Sequence, residues 1–347
     1  MRWERFIALN SQNSNRPLIW PTFRWEESNP QEQRLQEHPL WLVHQKIRRE
    51  LPHVYSLLVI RRGAIVFERY YQGHDASSLF DVRSVTKSFV SALIGIALAE
   101  KRLVNLDQKI LSYFPEYRAH DMDPRKAAIT IHDLLTMKSG IAWDEEHDFE
   151  RLSSCDHWIQ YMFSLPMKAH PGSVFSYNSG ASHILSELIQ RVTGMNAFEF
   201  ARKQLFSPLG IHHAIWPSDP TGITFGFAGL SLTARDLAKL GLLYARQGVW
   251  EEVQVLPPEY VHSSTSVWSS GGFPEEANYG YHWWVIPSES QQAFFAAGYG
   301  GQYLWIVPNL DLIVVTTAEG WLPPSLIQDH RFLITDFVIP ATLQGTL

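Results

Sequence analysis

The chain has 347 residues, a length that can bury a large core in one to three domains. Hydrophobic residues make up 45% of the sequence and charged residues 18%, which is the composition of an ordered globular protein. The net charge is −6 and no block of Lys or Arg occurs, which argues against a nucleic-acid partner. The single cysteine, Cys155, excludes an internal disulfide and is weakly typical of a reducing compartment.

The beginning of the chain predicts an extended surface arm over residues 1–35, which are rich in Asn, Pro, Gln and Arg. Neither a signal-peptide apolar region nor an apolar run of membrane-span length is visible. The sequence therefore predicts a soluble, cytoplasmic protein without a membrane span. A secreted form whose signal has been removed stays open.

Secondary-structure patterns follow in chain order. Helical spacing over His38–Glu50 ends before Pro52, and residues 54–72 are typical of a β-hairpin that turns at Arg61–Gly63. The run Phe89–Ala99 is apolar on nearly every face, which indicates a buried helix. Further elements are predicted as helices at 130–137, 181–193, 196–206 and 233–244, strands at 293–299, 302–307 and 312–317, and a closing helix over 323–342 that is interrupted near Pro340.

Strands at both ends of the chain with helices between them predict an α+β fold. One antiparallel sheet would be built from the N- and C-terminal strands, flanked by helices, with a mostly helical domain inserted. The predicted division is residues 36–115 plus 285–347 for the sheet domain and 116–284 for the helical domain, each boundary within about twenty residues, with the active site at their interface.

Ser84 and Lys87 open the buried helix and form the strongest functional signal. A spacing of three places the hydroxyl and the amine on one face, at a helix start where backbone N–H groups are unpaired. Serine becomes a nucleophile when a neighbouring base removes its proton, and burial favours the neutral lysine that such a base requires. The Ser84 N–H could also donate to a developing oxyanion. The same spacing also arises by chance as a helix cap followed by a surface lysine.

Two loop segments are further candidates. Tyr177, Asn178 and Ser179 lie in a turn-rich stretch just before a helix, where polar side chains often form sites. A predicted strand ends in a glycine cluster at Gly298, where a ligand could approach the backbone closely. The alternatives are a buried tyrosine with a satisfied hydroxyl and an ordinary tight turn.

Together these segments resemble the serine β-lactamase and penicillin-recognising superfamily, in its class C-like branch. The resemblance covers roughly residues 52 to 320. Five segments carry it in the right order: S-x-x-K at Ser84–Lys87, T-I-x-H-L-L-x-x-x-S-G at Thr130–Gly140 with Asp133 where His is usual, the catalytic tyrosine after Pro-Gly at Tyr177, G-L-x-x-T-x-x-D-L-A at Gly229–Ala238, and Y-G-x-G-W-W at Tyr279–Trp284.

The sequence departs from the family at two places. The family's Tyr-x-Asn has Ser179 at its Asn position, and its third motif, Lys/His-Thr/Ser-Gly, reads Ala296-Ala297-Gly298. The cation that would bind a β-lactam or peptide carboxylate is therefore missing. This favours an esterase or amidase, with motifs in the form of the 6-aminohexanoate-dimer hydrolases and family VIII-type carboxylesterases.

The resemblance implies an acyl-enzyme mechanism without metal or cofactor. It makes Ser84 the nucleophile, Lys87 and Tyr177 the groups that move protons, and the Ser84 and Tyr299 N–H groups the oxyanion hole. The substrate would be a small ester or amide. Substrate contacts are predicted at Ser179, Asn178, Gly298, Trp143 and Asp144. The alternatives are a β-lactamase or D-alanyl-D-alanine carboxypeptidase, and a non-catalytic acyl-binding sensor.

Overall fold

A computed structural model describes residues 20–118, 122–145, 147–288, 292–327 and 329–343. Residues 1–19 of the predicted arm lie outside these ranges. Within residues 20–35, a short strand at Glu26–Glu27 pairs with the edge of the main sheet, so this part of the arm is held against the fold.

Nine strands form the main sheet, in the spatial order β1-β3-β2-β13-β12-β11-β10-β9-β8. Four short strands form two separate two-stranded pairs, β4 with β5 and β6 with β7. The strand bounds are β1 Glu26–Glu27, β2 Val54–Arg61, β3 Ala64–Tyr70, β4 Phe80–Asp81, β5 Ser231–Leu232, β6 Val249–Trp250, β7 Val253–Gln254, β8 Ser269–Gly272, β9 Ala277–Tyr279, β10 Trp284–Ile286, β11 Ala293–Gly298, β12 Gln302–Val307 and β13 Leu312–Ala318.

Helices fill the middle of the chain and cover the sheet. Their bounds are α1 Glu37–Glu50, α2 Thr86–Ala99, α3 Ile131–Leu135, α4 His147–Ser153, α5 Trp158–Ser164, α6 Ser179–Thr193, α7 Ala197–Ala201, α8 Ala234–Ala245, α9 Pro258–Ser264 and α10 Ile339–Leu343. Two π-helical segments, Arg202–Phe206 and Leu333–Val338, continue α7 and precede α10.

The sheet is built from both ends of the chain, as predicted. The hairpin of β2 and β3 turns through Arg62 and Gly63, which both have positive φ, the conformation that a two-residue hairpin turn requires. Strand β2 then pairs with β13 in antiparallel register, with Val59 opposite Val314. The predicted α+β fold is confirmed, with one correction: β1 runs parallel to β3, so the sheet is mixed.

Each face of the sheet covers its own hydrophobic core. One core joins the sheet to the helical region and contains Phe89 and Leu93 of α2. The other packs the opposite face against α1 and the C-terminal helical segment, through Leu40 and Leu333 among others. Helix α2 is buried along almost its whole length, since residues 86–97 are all buried. Packing on all sides therefore holds the first turn of α2 in place beside the sheet.

The C-terminal part of the sheet starts at Ser269 in β8, sixteen residues before the predicted boundary and inside its twenty-residue margin. One segment differs from the prediction. The closing helix does not begin near residue 323: Pro324–Leu326 form a 3-10 turn, and helix begins only at Arg331. Proline at two successive positions removes the N–H groups that a longer helix would need. No helix in the described ranges has both the length and the apolar character needed to cross a membrane.

Candidate active site

Ser84 lies in the 3-10 turn Arg83–Val85 that leads directly into α2. Its hydroxyl is 2.9 Å from the amine Nζ of Lys87, in the first turn of the helix. The predicted pairing of hydroxyl and amine is therefore present. Ser84 remains partly exposed.

Lys87 is buried, with 1% of its surface exposed, and this sets its protonation. Its Nζ also lies 3.2 Å from the main-chain carbonyl oxygen of Phe227. Burial, opposed by the Glu145 carboxylate and reinforced by Arg83, lowers the pKa of Lys87 to about 8. At mildly alkaline pH, a substantial fraction of the amine is therefore neutral and able to accept a proton.

Tyr177 lies beside both groups. Its ring centroid is 4.8 Å from Lys87 Nζ, and the Ser84 side chain is close enough to influence the pKa of its phenol. The ring stacks on Trp284 with centroids 5.9 Å apart. Burial and, second, the Glu145 carboxylate raise the pKa of the Tyr177 phenol well above its ordinary value, and the Ser84 side chain opposes them. The phenol is therefore protonated at neutral pH.

Local backbone contacts bring Tyr177 into this position. Gly172, with φ of 79°, turns the chain and its N–H donates to the Lys138 carbonyl. The N–H of Ser176 donates to the Met137 carbonyl at 2.8 Å. Asn178 then caps α6, its Oδ1 accepting the Ala181 N–H at 2.9 Å. Asn178 therefore has a structural contact next to the predicted catalytic tyrosine.

The end of β11 lies against the turn that carries Ser84. A Cβ atom at Gly298 would lie 2.5 Å from the Val82 carbonyl oxygen and 3.1 Å from the Arg83 Cβ, so only glycine allows this approach. Tyr299 follows immediately, which brings its main chain next to the same turn. Its phenol donates to the Leu322 carbonyl at 2.9 Å, and 41% of its surface is exposed.

An exposed tryptophan, Trp321, contacts Arg83, the residue before Ser84. The Arg83 guanidinium lies 4.1 Å from the ring centroid of Trp321, whose surface is 76% exposed. The loop holding Trp321 is ordered by Glu319, which accepts the Tyr55 hydroxyl at 2.5 Å and the Trp321 N–H at 3.0 Å. Trp321 is therefore an exposed aromatic side chain in contact with the residue that precedes Ser84.

Glu145 is the residue near the site that the sequence interpretation missed. Its carboxylate accepts the Trp143 indole N–H at 2.6 Å, the Ser179 N–H at 3.1 Å and the Ser179 hydroxyl. The predicted residue, Asp144, is instead exposed and pairs with His147 at 3.1 Å. Trp143 and Ser179 are thus brought together, but through Glu145 and not Asp144. Adjacent carboxylates in a loop give no periodic signal that would tell which one faces inward.

The described residues contain no group of three or more His, Cys, Asp or Glu side chains arranged to hold a metal ion. Ala296 and Ala297, on β11, occupy the third-motif positions where a cation would reach toward the site. The arrangement is therefore a hydroxyl, a buried amine and a phenol beside a glycine-edged strand. Together with the fold, it defines a serine hydrolase of the penicillin-recognising type.

The chain belongs to the Beta-lactamase family, whose model matches residues 49–336. Among characterised relatives, it is 26% identical over 299 residues to the 6-aminohexanoate-dimer hydrolase of Paenarthrobacter ureafaciens, covering 79% of this chain and 74% of that protein.

Solved structures share the fold. A family VIII carboxylesterase superimposes with a TM-score of 0.70 at 14% identity, covering 93% of this chain and 99% of that one. The octameric penicillin-binding protein homologue from Pyrococcus abyssi superimposes with a TM-score of 0.67 at 20% identity. The match covers 87% of this chain and 76% of that one. The predicted superfamily is confirmed.

Proposed function

We propose that this serine hydrolase cleaves small carboxylic esters or amides through an acyl-enzyme formed on Ser84. The observation that carries the proposal is the 2.9 Å contact between the Ser84 hydroxyl and the amine of a buried lysine. Ser84 Oγ attacks the substrate carbonyl carbon while its proton passes to Lys87. The N–H groups of Ser84 and Tyr299 hold the oxyanion, a contribution worth about 10²–10³ in rate for each donor.

The phenol of Tyr177 completes the proton path. Because its pKa is raised, Tyr177 stays protonated and passes its proton to the leaving alkoxide or amine, regaining one from Lys87. Water then attacks the acyl-enzyme, with the same groups acting in reverse, and releases the acid and free Ser84. Lys87 is the more suitable initial base, since its lowered pKa favours the neutral form whereas Tyr177 resists ionisation.

The protonation of Lys87 predicts the pH dependence of the first step. For an aryl acetate, kcat/KM should decrease as the pH falls below about 8, because the Lys87 ammonium cannot accept the Ser84 proton. This decrease is the acidic limb of the pH profile. Stopped-flow release of the aryl alcohol from pH 5 to 10 measures this limb. A rate that stays constant down to pH 5.5 would contradict lysine as the base.

Glu145→Gln is predicted to move the same limb to lower pH. The Glu145 carboxylate raises the pKa of Lys87, so removing its charge makes the amine easier to deprotonate. The measurement is the same pH profile on the variant. Glu150→Gln is the control, since Glu150 is an exposed carboxylate on nearby α4. If the acidic limb has the same pH midpoint in wild type and in Glu145→Gln, the Glu145 charge does not influence the pKa of Lys87.

The substrate class follows from what surrounds Ser84. Without a cation at Ala296 or Ala297, the site offers no strand-borne partner for the carboxylate of a β-lactam or a terminal peptide. The exposed Trp321 and Tyr299 offer apolar contact instead. We therefore favour esters or amides that bind without carboxylate recognition over penicillins and D-alanyl-D-alanine peptides.

A substrate panel tests this choice. It contains aryl esters of increasing chain length, a linear aminohexanoate amide, nitrocefin and a D-Ala-D-Ala peptide. We expect kcat/KM to be highest for the esters or the amide and to depend on acyl length. Nitrocefin turnover equal to that of short aryl esters would favour the β-lactamase alternative. Stoichiometric labelling by a fluorophosphonate without any turnover would indicate an acyl-binding sensor.

A further inference from the structure

We propose that the buried pair of His183 and Asp219 positions the catalytic amine of Lys87, acting through the main chain of Gly226 and Phe227. This inference rests on the proposed function, because it assigns a role within the same site. Neither side chain touches the Ser84 hydroxyl directly. Both are therefore positioning residues rather than catalytic ones.

The pair is completely enclosed. Both side chains have no exposed surface, and His183 Nε2 lies 3.0 Å from Asp219 Oδ2. The other carboxylate oxygen accepts the N–H groups of Thr221 and Ile223 at 2.8 and 2.9 Å. Burial raises the pKa of Asp219, but these hydrogen bonds and the one from His183 outweigh it and hold the pKa below its ordinary value. The carboxylate is therefore ionised and fixed in one orientation.

The hydrogen bonds also determine the tautomer of His183. The N–H of Gly226 donates to Nδ1 at 3.3 Å, so Nδ1 must present its lone pair. The ring proton of the neutral histidine is then on Nε2, where it donates to Asp219. A histidine held in this tautomer is an acceptor for one particular main-chain N–H, and it anchors the loop at Gly226.

The anchored loop carries an acceptor for the catalytic amine. The residue after Gly226 is Phe227, whose carbonyl oxygen lies 3.2 Å from Lys87 Nζ. The Phe227 ring packs on His183 and Trp158, with centroids 5.9 and 5.8 Å away. A Cβ at Gly226 would lie 2.2 Å from the Ser182 carbonyl oxygen, so the loop lies tightly on α6.

This acceptor determines where the lysine lone pair points. When the neutral amine donates one N–H to the Phe227 carbonyl, it cannot rotate freely about its Cε–Nζ bond. Its lone pair can then point toward Ser84 Oγ, which lies 2.9 Å away. A carbonyl displaced by a fraction of an ångström would leave the amine free to rotate in its enclosure. Misplacement on the scale of 1 Å can cost up to about 10²-fold in rate.

A second histidine holds the other end of Lys87. The Nδ1 atom of His282 lies 3.0 Å from the Lys87 carbonyl oxygen, and its Nε2 lies 3.3 Å from the Ser182 hydroxyl. Burial lowers the pKa of His282 to about 3, so this ring is neutral as well. Adjacent residues of α6, Ser182 and His183, thus support the main chain and the amine of Lys87 by separate routes.

The test is the variant Asp219→Asn, which keeps the shape but allows the amide to donate to Nε2. The ring would then carry its proton on Nδ1, facing the Gly226 N–H, and the loop would have to shift. The readout is the rate at which an aryl fluorophosphonate labels Ser84 in the full-length protein, followed from pH 5 to 10 by intact mass. This readout does not depend on hydrolytic turnover.

Two changes are expected together. The limiting rate at high pH should fall by roughly 10- to 10²-fold, since the amine is less well oriented. The acidic limb should move below its wild-type position near pH 8. The Phe227 carbonyl accepts a hydrogen bond from the amine, which favours the charged form, so its loss should lower the pKa of Lys87. A general loss of packing would instead admit water to Lys87 and move the limb to higher pH, toward the pKa of an ordinary lysine.

Ser186→Ala is the matched control. Ser186 is buried on α6, and its hydroxyl donates to the Thr224 carbonyl at 2.6 Å, in the same loop but off the route to Lys87. It should leave the limb unchanged. If Asp219→Asn does not fold, His183→Gln replaces it with the same expected changes. An unaltered limb and rate in whichever variant folds would overturn the positioning role, whereas a wild-type protein that is not labelled would overturn the proposed function itself.

Discussion

Ser84→Ala is expected to lower kcat/KM for esters and amides by at least about 10⁴-fold, because no other group can form the acyl-enzyme. The methyl side chain leaves Lys87 and Tyr177 in place, so any remaining turnover would come from water attacking a substrate held by the oxyanion hole. Steady-state assays with an aryl ester measure the loss, and circular dichroism confirms that the variant is folded.

Ser91→Ala is the matched control for this variant. Ser91 is buried on the same helix α2, where its hydroxyl contacts the Tyr260 hydroxyl at 3.0 Å, remote from the proposed chemistry. It should retain activity within a few-fold of wild type. Turnover by Ser84→Ala at the level of Ser91→Ala would remove Ser84 from the mechanism.

Lys87→Met is expected to lower kcat/KM by about 10²–10⁴-fold, the range typical of losing a general base. Methionine has a similar length and no charge, so the packing around position 87 is largely kept. The remaining activity should no longer show the limb near pH 8. Lys126→Met is the control, since Lys126 is also buried and donates to the Phe163 carbonyl at 2.6 Å.

The same variant should be more stable than wild type at neutral pH. The pKa of Lys87 is about 8 in the folded chain, against 10.5 for an ordinary lysine. Between these values the unfolded chain binds more protons, so the contribution of Lys87 to stability rises with pH there and is least favourable below about 8. Thermal unfolding at pH 7 should therefore show a higher Tm for Lys87→Met. A lower Tm would contradict the idea that burial of this amine is costly.

The central site was predictable because its signals are local. A serine and a lysine three residues apart at the start of an apolar helix must lie on one face of it. Tyr177 is predicted from a short motif that can be recognised in the sequence. The Ser84 hydroxyl lies 2.9 Å from Lys87 Nζ, and the Tyr177 ring centroid lies 4.8 Å from the same nitrogen. Their roles in the reaction remain the proposal that the variants above test.

The surrounding contacts could not be predicted for a physical reason. Phe227 contributes a main-chain carbonyl, and no side-chain pattern marks a particular carbonyl as an acceptor. His183 and Asp219 are 36 residues apart and meet only through the tertiary fold. Asp144 and Glu145 are chemically alike, so only the path of the loop determines that Glu145 reaches Ser179.

The differences between the predicted and the observed elements have equally specific causes. Strand β8 contains two glycines, so its sequence has little strand character and no strand is predicted there. A closing helix is predicted over residues 323–342, but the side chain of Asp329 accepts the Arg331 N–H at 2.9 Å and helix begins there. The short parallel strand at Glu26–Glu27 has only two residues and no periodicity to detect.

The most direct test of the account is the mass of the protein during turnover. Wild-type protein mixed with a slowly hydrolysed aryl ester and quenched in acid within milliseconds to seconds should carry one acyl group, and proteolytic mapping should place it on Ser84. The adduct should decay at the rate of product release in steady state. An acyl group on any other residue, or rapid hydrolysis with no covalent species on Ser84, would contradict the proposed mechanism.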